Sequence, residues 1–508
     1  MSRLNNNIAL VSLYGVENMG IRSIDSVLSQ NGFNTHLIFF KKWVNNDIRY
    51  PREEEVSLLK ALLHDLDVSL VGISFTSPFL KIARSLTEEI KRDFDFNVVW
   101  GGIHATASPK DCLDYCDIVC RGEGEETMIE LANAVKEGRS LEGIKGICYR
   151  KENRIVMSDM RKPICDLDKL PFPDYTNKRK YFIEERCEHK DPLRNARELR
   201  VLASRGCPFN CSYCYNSIMK KIYKGSNYHR LRSPHSIVSE VKHSLGLLEK
   251  IKKIKFDDDT FIFPKEWIDK FCALYTKDVG LPFEILFNVQ CLDKENLRKL
   301  RDAGLKKVQV GIQTISHLES GRDYNRKLSL EKIRDFALIA KELNLDVVYD
   351  IILDNPQSEF KDKIALVEFL ITLPKPFDLF LYSLTVFPGT EMCERLLRDG
   401  LIGQKDVEGE ATKSFHQFRL SFSYPRSKEE LYLACVISLT SKSFLPRRLI
   451  LIVLRSRFLK KHLLLIKWFA IAANQVKLFC IFIKMIINGE MSLWKFQEYG
   501  TPKRFLIQ

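Results

Sequence analysis

No stretch of the 508 residues reads as a membrane span. The most apolar region, Phe444–Ile487, is interrupted by Arg455, Arg457, Lys460, Lys461, Lys467, Lys477 and Lys484 before it nears the ~18 unbroken apolar residues that a crossing requires. The N-terminus, Met1–Asn7, is polar and has no charged leader followed by an apolar run and a small-residue cleavage site, so export is not expected. Fourteen cysteines do not make a disulfide scaffold in a chain this long, which points to a reducing cytoplasm. The formal net charge of +14 favours an anionic partner such as a nucleotide-bearing cofactor, nucleic acid or a membrane surface. Nucleic acid is the weakest of these, because the basic residues form no compact patch interleaved with aromatics and no nucleic-acid motif is present.

The most informative stretch is Arg205-Gly206-Cys207-Pro208-Phe209-Asn210-Cys211-Ser212-Tyr213-Cys214-Tyr215-Asn216. Three thiols within eight residues that also hold Pro208 and Asn210 fit a loop wrapped around a metal. A structural zinc normally takes four protein ligands, and no fourth Cys or His lies close to the trio. An iron–sulfur cluster with one iron left open accounts for the missing ligand. A three-Cys zinc site and a chance grouping are the alternatives.

The spacing Cys-x-x-x-Cys-x-aromatic-Cys, with Gly206, Pro208 and Asn210, resembles the signature of radical S-adenosylmethionine (radical SAM) enzymes. The resemblance implies a [4Fe–4S] cluster held by Cys207, Cys211 and Cys214, whose open iron is chelated by SAM, and reductive cleavage of SAM to a 5′-deoxyadenosyl radical. It also places Tyr213 near the adenine.

Ahead of this loop, short apolar runs alternate with helix-length segments from Ile8 to about Tyr149, the pattern of a doubly wound parallel α/β sheet. Strands are expected at Ile8–Leu13, His36–Phe40, Leu70–Ser74, Asn97–Trp100 and Ile118–Cys120. Ligands bind beyond the carboxyl ends of such strands, in the loops Tyr14–Gly20, Ser74–Ser77, Gly101–Thr106 and Arg121–Thr127. Three of these contain glycine, which allows close backbone approach. Cys112, Cys116 and Cys120 are expected in the core as small hydrophobes, and His104 is expected to hydrogen-bond a neighbour.

The strand order, the Gly-Gly-x-His loop and the Arg-Gly-Glu-Gly-Glu turn resemble the cobalamin-binding domain that precedes many radical SAM enzymes. This implies that Thr76, Gly101, Gly102, Gly122, Glu123 and Gly124 face the corrin. Many such domains carry Asp-x-His-x-x-Gly after the first strand; here Tyr14–Gly20 has no His, so bound cobalamin would lack that lower ligand, and a first domain that has lost cobalamin remains an alternative.

Residues 151–198 read as a linker, with an extended connector at Leu170–Tyr175 and a solvated charged run at Asn177–Arg186. From Leu199 six β/α repeats are expected, with strands near Arg200–Ser204, Lys253–Phe256, Phe283–Phe287, Lys307–Gly311, Asp346–Leu353 and Leu379–Thr385. These predict a partial (β/α)6 TIM-type barrel over 199–400, with its site at the strand C-termini. By the same resemblance, Asp258 and Asp259 contact the SAM amino group, while Gly311, Gln313 and Thr314 lie on its ribose side. A helical extension fills 401–508; it either caps the barrel or lies on an anionic membrane surface, which would place the protein at the inner face of the membrane.

The expected protein is a cobalamin-dependent radical SAM methyltransferase acting on an unactivated carbon or phosphorus of a small-molecule or lipid-like substrate, with a reductant such as flavodoxin or ferredoxin. Ring formation or rearrangement without net methylation is the alternative within the family, and a non-catalytic metal- or nucleic-acid-binding protein is the alternative outside it.

Overall fold

Alternation of buried apolar runs with amphipathic helices sets the first sheet. In the computed structural model, which describes residues 5–43, 49–317, 319–355, 357–407 and 427–487, β1 (Asn7–Leu13) is flanked by β2 (Asn34–Phe40) and β3 (Leu70–Ser74), all parallel. Beyond β3 follow β4 (Asn97–Gly101) and β5 (Ile118–Cys120), also parallel. The resulting order, β5-β4-β3-β1-β2, reverses direction between β1 and β3, the kind of switch point where doubly wound sheets bind ligands. The connecting helices are α1 (Met19–Gln30), α2 (Glu53–Asp65), α3 (Leu80–Asp93), the short α4 (Ile103–Ala107) and α5 (Pro109–Cys112), and α6 (Glu125–Glu137). The side chain of Asn18 caps α1 by accepting from the Ile21 N–H, and Gly138, left-handed at φ 62°, ends α6. Ile21, Leu28, Met128 and Leu131 from α1 and α6 pack with Ile8, Leu10, Leu37 and Val99 of the strands. Cys112, Cys116 and Cys120 are buried as expected.

The first sheet does not stop at residue 150. Strands β6 (Ile147–Lys151) and β7 (Arg154–Met157) add antiparallel beside β5, while β8 (Lys180–Ile183) adds parallel to β2 and β9 (Cys187–Glu188) pairs with β8. The expected solvated run at Asn177–Arg186 is therefore corrected to an edge of the sheet. The physical reason is a set of distant charge partners: buried Lys180 meets Asp25 at 2.7 Å, and Arg22 meets Asp191 at 2.7 Å in full burial, sandwiched by the rings of Phe39 and Tyr175.

The chain divides into two compact units. The first comprises Met1–Ile285, Asp302–Gly304 and Thr385–Lys413; the second comprises Leu286–Arg301, Leu305–Leu384 and Ser414–Gln508. Besides the first sheet, the first unit holds β10 (Glu198–Val201), then the hairpin of β11 (Ser204–Arg205) and β12 (Arg230–Leu231) with α7 (Asn216–Ile222) between them, and then α8 (Pro234–Leu247). Next come β13 (Lys253–Phe256), α9 (Lys265–Asp278) and β14 (Phe283–Phe287), with β10, β13 and β14 parallel. Phe256, Phe271, Tyr275 and Phe283 pack edge-on or tilted between these elements, with ring centroids 5.1–6.3 Å apart. Helix α10 (Lys294–Ala303) follows; the last two residues of β14 and Lys294–Arg301 of α10 belong to the second unit.

In the second unit β15 (Leu305–Gln313), β16 (Asp346–Leu353) and β17 (Asp378–Ser383) are parallel and connected by α11 (Leu330–Glu342) and α12 (Phe360–Leu370). β10, β13 and β14 are thus parallel neighbours in chain order, and so are β15, β16 and β17, in keeping with the repeat pattern. The first of them ends at Val201 instead of Ser204, because Ser204 turns into the hairpin. After α13 (Glu391–Arg398), which belongs to the first unit, the described part of the extension is helical: α14 (Lys428–Thr440), α15 (Arg447–Arg455), α16 (Arg457–Lys461) and α17 (Leu463–Ile487). Residues 408–426 and 488–508 of the expected extension lie outside the described residues.

Candidate functional site

The cysteine loop leaves β11 at Gly206, whose backbone (φ 83°) favours glycine and where a Cβ would meet the Tyr228 carbonyl oxygen at 2.3 Å. Cys207 and Cys211 are buried and Cys214 is half-buried. The loop is tied by the Cys214 N–H to the Cys211 carbonyl (3.0 Å), by Lys220 Nζ to the Pro208 carbonyl (2.7 Å), and by the Met392 N–H, at the start of α13, to the buried Ser212 carbonyl (3.0 Å). Burial, with the Asp259 carboxylate and Cys211 nearby, pushes the thiol of Cys207 up to about 11 and that of Cys214 up to about 12. Bare thiolates are thus disfavoured here, and positive charge from iron would reverse the effect. Backbone N–H groups of Phe209 and Asn216 face the sulfurs of Cys207 and Cys214, and Asn216 Nδ2 lies 3.7 Å from Cys214 Sγ, donors that stabilise cluster thiolates. Among the described residues, no three His, Cys, Asp or Glu side chains converge on one ion. Three thiols gathered in one loop can hold a cluster, in which each thiolate binds a different iron.

Behind the loop, Tyr215 Oη donates to both oxygens of Asp259 (3.0 and 3.2 Å), and Tyr228 Oη donates to Asn216 Oδ1 (2.7 Å). Asp258, expected at the SAM amino group, serves as an internal anchor through its side chain. Its buried carboxylate accepts from the Ala203 N–H (3.3 Å) and from both the N–H and the hydroxyl of Ser204 (each 2.5 Å), fixing the chain just before the hairpin.

The hairpin is in turn clamped to the loop after β5. Arg230 donates to both oxygens of Glu123 (2.6 and 3.0 Å), and Arg205 donates to Glu125 (2.6 Å), which also accepts from Ser23 Oγ (2.7 Å). Against a burial that would raise it, the Arg205 guanidinium holds the Glu125 carboxyl below its ordinary range. Glu123 also accepts from the Ile164 N–H (2.8 Å), and its own N–H donates to Tyr223 Oη (2.9 Å). Gly122, Glu123 and Gly124, expected to face a corrin, are engaged here by the chain's own residues. A Cβ on Gly122 would meet Tyr223 Oη at 2.3 Å and one on Gly124 would meet Ile24 Cδ1 at 2.8 Å, so these glycines admit the chain's own side chains.

In the loops after β3 and β4, Gly102 likewise accommodates the chain's own backbone, a Cβ there meeting the Phe75 carbonyl oxygen at 2.5 Å, but Gly101 is open. Thr76 and Gly102 are exposed, and no atom lies within 4 Å of a Cβ built on Gly101. Beside them Tyr14, after β1, stacks on Phe79 at 4.6 Å, and buried His104 bonds Ser77 Oγ through Nδ1 (3.0 Å). An open, glycine-floored edge at the switch point fits a large flat cofactor. The cavity of ≈ 50 Å³ lined by Leu170, Pro171, Pro173, Leu202, Ser204 and Arg205 has room for only a few waters and does not.

In the second unit, Gln313 sits at a register shift of β15 with φ 68°, and its Oε1 is buried without a hydrogen-bond partner. Such an orphaned acceptor fits a hydroxyl donor supplied by a ligand. Arg326 donates to the Gly311 carbonyl (2.5 Å), and Thr314 Oγ1 bonds Glu319. Tyr213 is half-buried in the turn before Cys214. The sequence reading assigned no role to Arg205, Arg230, Glu125, Tyr223 or Asn216; of these, Arg205, Asn216 and Glu125 lay inside motifs it had singled out.

The Radical SAM superfamily matches residues 201–369 and the B12 binding domain matches residues 7–132. An uncharacterized methyltransferase of Pyrococcus horikoshii is 27% identical over 377 residues, covering 69% of this chain and 76% of its own. A bacteriochlorophyllide d C-8(2)-methyltransferase of Chlorobaculum tepidum is 25% identical over 440 residues (81% and 89%). An anaerobic magnesium-protoporphyrin IX monomethyl ester cyclase of Rubrivivax gelatinosus is 28% identical over 304 residues (57% and 50%). The fold is shared with the radical SAM methyltransferase TsrM of Kitasatospora setae in its cobalamin- and [4Fe–4S]-bound structure (TM-score 0.63, 17% identity, 89% of this chain and 99% of that one). It is shared as well with the cobalamin-dependent radical enzyme OxsB (TM-score 0.65, 15% identity, 96% and 81%). A [4Fe–4S] cluster and SAM are the cofactors of a radical SAM domain, and cobalamin is that of a B12-binding domain. Cysteine loop, switch-point sheet and both domain matches agree: the chain is a radical SAM enzyme that carries a B12-binding domain ahead of its radical SAM domain.

Proposed function

We propose that this enzyme transfers a methyl group to an unactivated carbon or phosphorus centre, with Cys207, Cys211 and Cys214 as the cluster ligands. The observation that carries the reading is the clamp: Arg205 and Arg230, which flank the cysteine loop, bind Glu125 and Glu123 of the B12-binding sheet within one compact unit. A cluster loop fastened in this way to the cobalamin-binding sheet suits a reaction that uses both cofactors on one substrate. When bound, the cluster supplies the electron that cleaves SAM, and cobalamin supplies the transferable methyl group. The chain's own part is to hold and orient. Gly206 shapes the loop, Asn216 and backbone N–H groups steady the sulfurs, Gln313 offers an acceptor to a SAM hydroxyl, and Thr76, Gly101 and Gly102 floor the corrin edge.

The expected acceptor is a small or lipid-like molecule, and the electron donor a flavodoxin or ferredoxin. Ring formation without net methylation is a second reading, favoured by the relatives named as cyclases. Anaerobic reconstitution with iron, sulfide and cobalamin, followed by SAM and reductant, tests both, with Cys211→Ala as the control. Deoxyadenosine together with retained corrin supports the proposal, and label from methyl-deuterated SAM in the product separates methylation from cyclisation. Deoxyadenosine without corrin removes the methyl-transfer step, and the absence of both cluster and SAM cleavage refutes the cysteine assignment.

A further inference from the structure

Beyond Glu430 the described C-terminal helices carry charge of one sign. After Glu430 no Asp or Glu occurs before Ile487, whereas Arg447, Arg448, Arg455, Arg457, Lys460 and Lys461 are all exposed. Helix α17 is apolar on two opposite sides. Ile466, Ala470 and Ala473 form a buried stripe, while Leu464 (71% exposed), Trp468 (61%), Phe479 (61%) and Ile487 (77%) face outward with Val476. A helix on the surface of a water-soluble protein normally turns polar residues outward. Here the outward spacing of 4, 8, 3 and 8 residues keeps the apolar groups on one side, in a row that runs about 35 Å at 1.5 Å per residue. Scattered exposed apolar residues are ordinary, but a continuous row marks an interaction surface. Phe444, Ile452 and Phe458 on the preceding segments are exposed as well.

We propose that this face rests on the surface of an anionic lipid bilayer. A second copy of the chain would cover the apolar row but set like charges against each other. A bilayer meets both features, with acyl chains for the row and anionic headgroups for the guanidinium and ammonium groups. No helix among the described residues is long and apolar enough to cross a membrane, so the contact is with the surface. The inference is independent of the radical chemistry and concerns where the enzyme works.

The test is flotation of the full-length, anaerobically purified chain with vesicles of phosphatidylcholine alone or with added phosphatidylglycerol, followed in parallel by tryptophan fluorescence. Binding is expected to be at least ~10-fold stronger to the anionic vesicles. Trp468→Ser and Phe479→Ser are each expected to weaken it by ~10-fold or more, with unchanged thermal melting because both side chains are exposed. Joint replacement of Arg448, Arg457 and Lys461 by Ala should abolish the preference for anionic lipid. Absence of flotation with either vesicle overturns the proposal, as does equal binding to both. Dimers in light scattering that Trp468→Ser dissolves, without vesicle binding, would assign the face to a second copy instead.

Discussion

Removing Glu123 tests the clamp directly. Arg230 is buried and donates through two nitrogens to this carboxylate, so Glu123→Ala leaves a guanidinium in the interior with only the carbonyls of Ile164 and Tyr228 as partners. Breaking one side of a buried ion pair costs about 3–5 kcal/mol, against ~0–1 kcal/mol for an exposed pair. The exposed Lys221–Glu394 pair, at 2.7 Å, is the internal control. The readout is amide hydrogen exchange of the β11–β12 hairpin, where the Arg232 N–H bonds the Ala203 carbonyl at 2.9 Å. At ~1.4 kcal/mol per decade, a loss of 3 kcal/mol speeds exchange by about two decades. Glu394→Ala should leave the hairpin unchanged. In a double-mutant cycle, Arg230→Ala should recover part of the loss, with a coupling of about 2 kcal/mol. Hairpin exchange in Glu123→Ala within about threefold of the Glu394→Ala control would refute the clamp, since an effect that small matches a surface pair.

Gly206→Ala should abolish or sharply lower iron and sulfide incorporation while far-ultraviolet dichroism stays near the parent, because both its positive φ and the Tyr228 carbonyl exclude a side chain; normal iron content would contradict this. Gln313→Ala should weaken SAM binding about tenfold in equilibrium dialysis with little change in melting temperature, because the lost oxygen has no partner within the protein; a large stability loss with unchanged affinity would show a structural role instead. Burial lowers Lys442 from 10.5 to about 8. Between those values the unfolded chain binds more protons than the folded one, so this lysine's contribution makes stability rise with pH from about 8 to 10.5. Lys442→Met should accordingly stabilise the fold by about 1–3 kcal/mol at pH 7, with the gain disappearing toward pH 10.5, as urea titrations at several pH values would reveal.

What could be read in advance was local. Leu70–Ser74, Ile118–Cys120 and Asp346–Leu353 were delimited to the residue because each is a short apolar run closed by polar or glycine-bearing turns. The cysteine trio declared itself through spacing within eight residues. What stayed hidden depends on pairs far apart in sequence. Lys180 looks like part of a solvated charged run until Asp25, 155 positions earlier, is found beside it. Glu123 and Asp258 sit in loops that resemble cofactor contacts, yet their carboxylates serve Arg230 and Ser204, 107 and 54 positions away. Glycine count alone could not separate the open loop at Gly101 from the filled one at Gly122, because the difference lies in Tyr223.

The bond from the Met392 N–H to the Ser212 carbonyl has a consequence for biosynthesis. The cysteine loop is closed by a segment that leaves the ribosome about 180 residues after it, which at 5–20 residues per second is roughly 10–40 s later. Until then the loop lacks the helix start that holds the Ser212 carbonyl. The backbone of the loop is therefore completed late in the life of each new chain, and a cluster that requires that geometry would be loaded only after the Met392 segment has emerged.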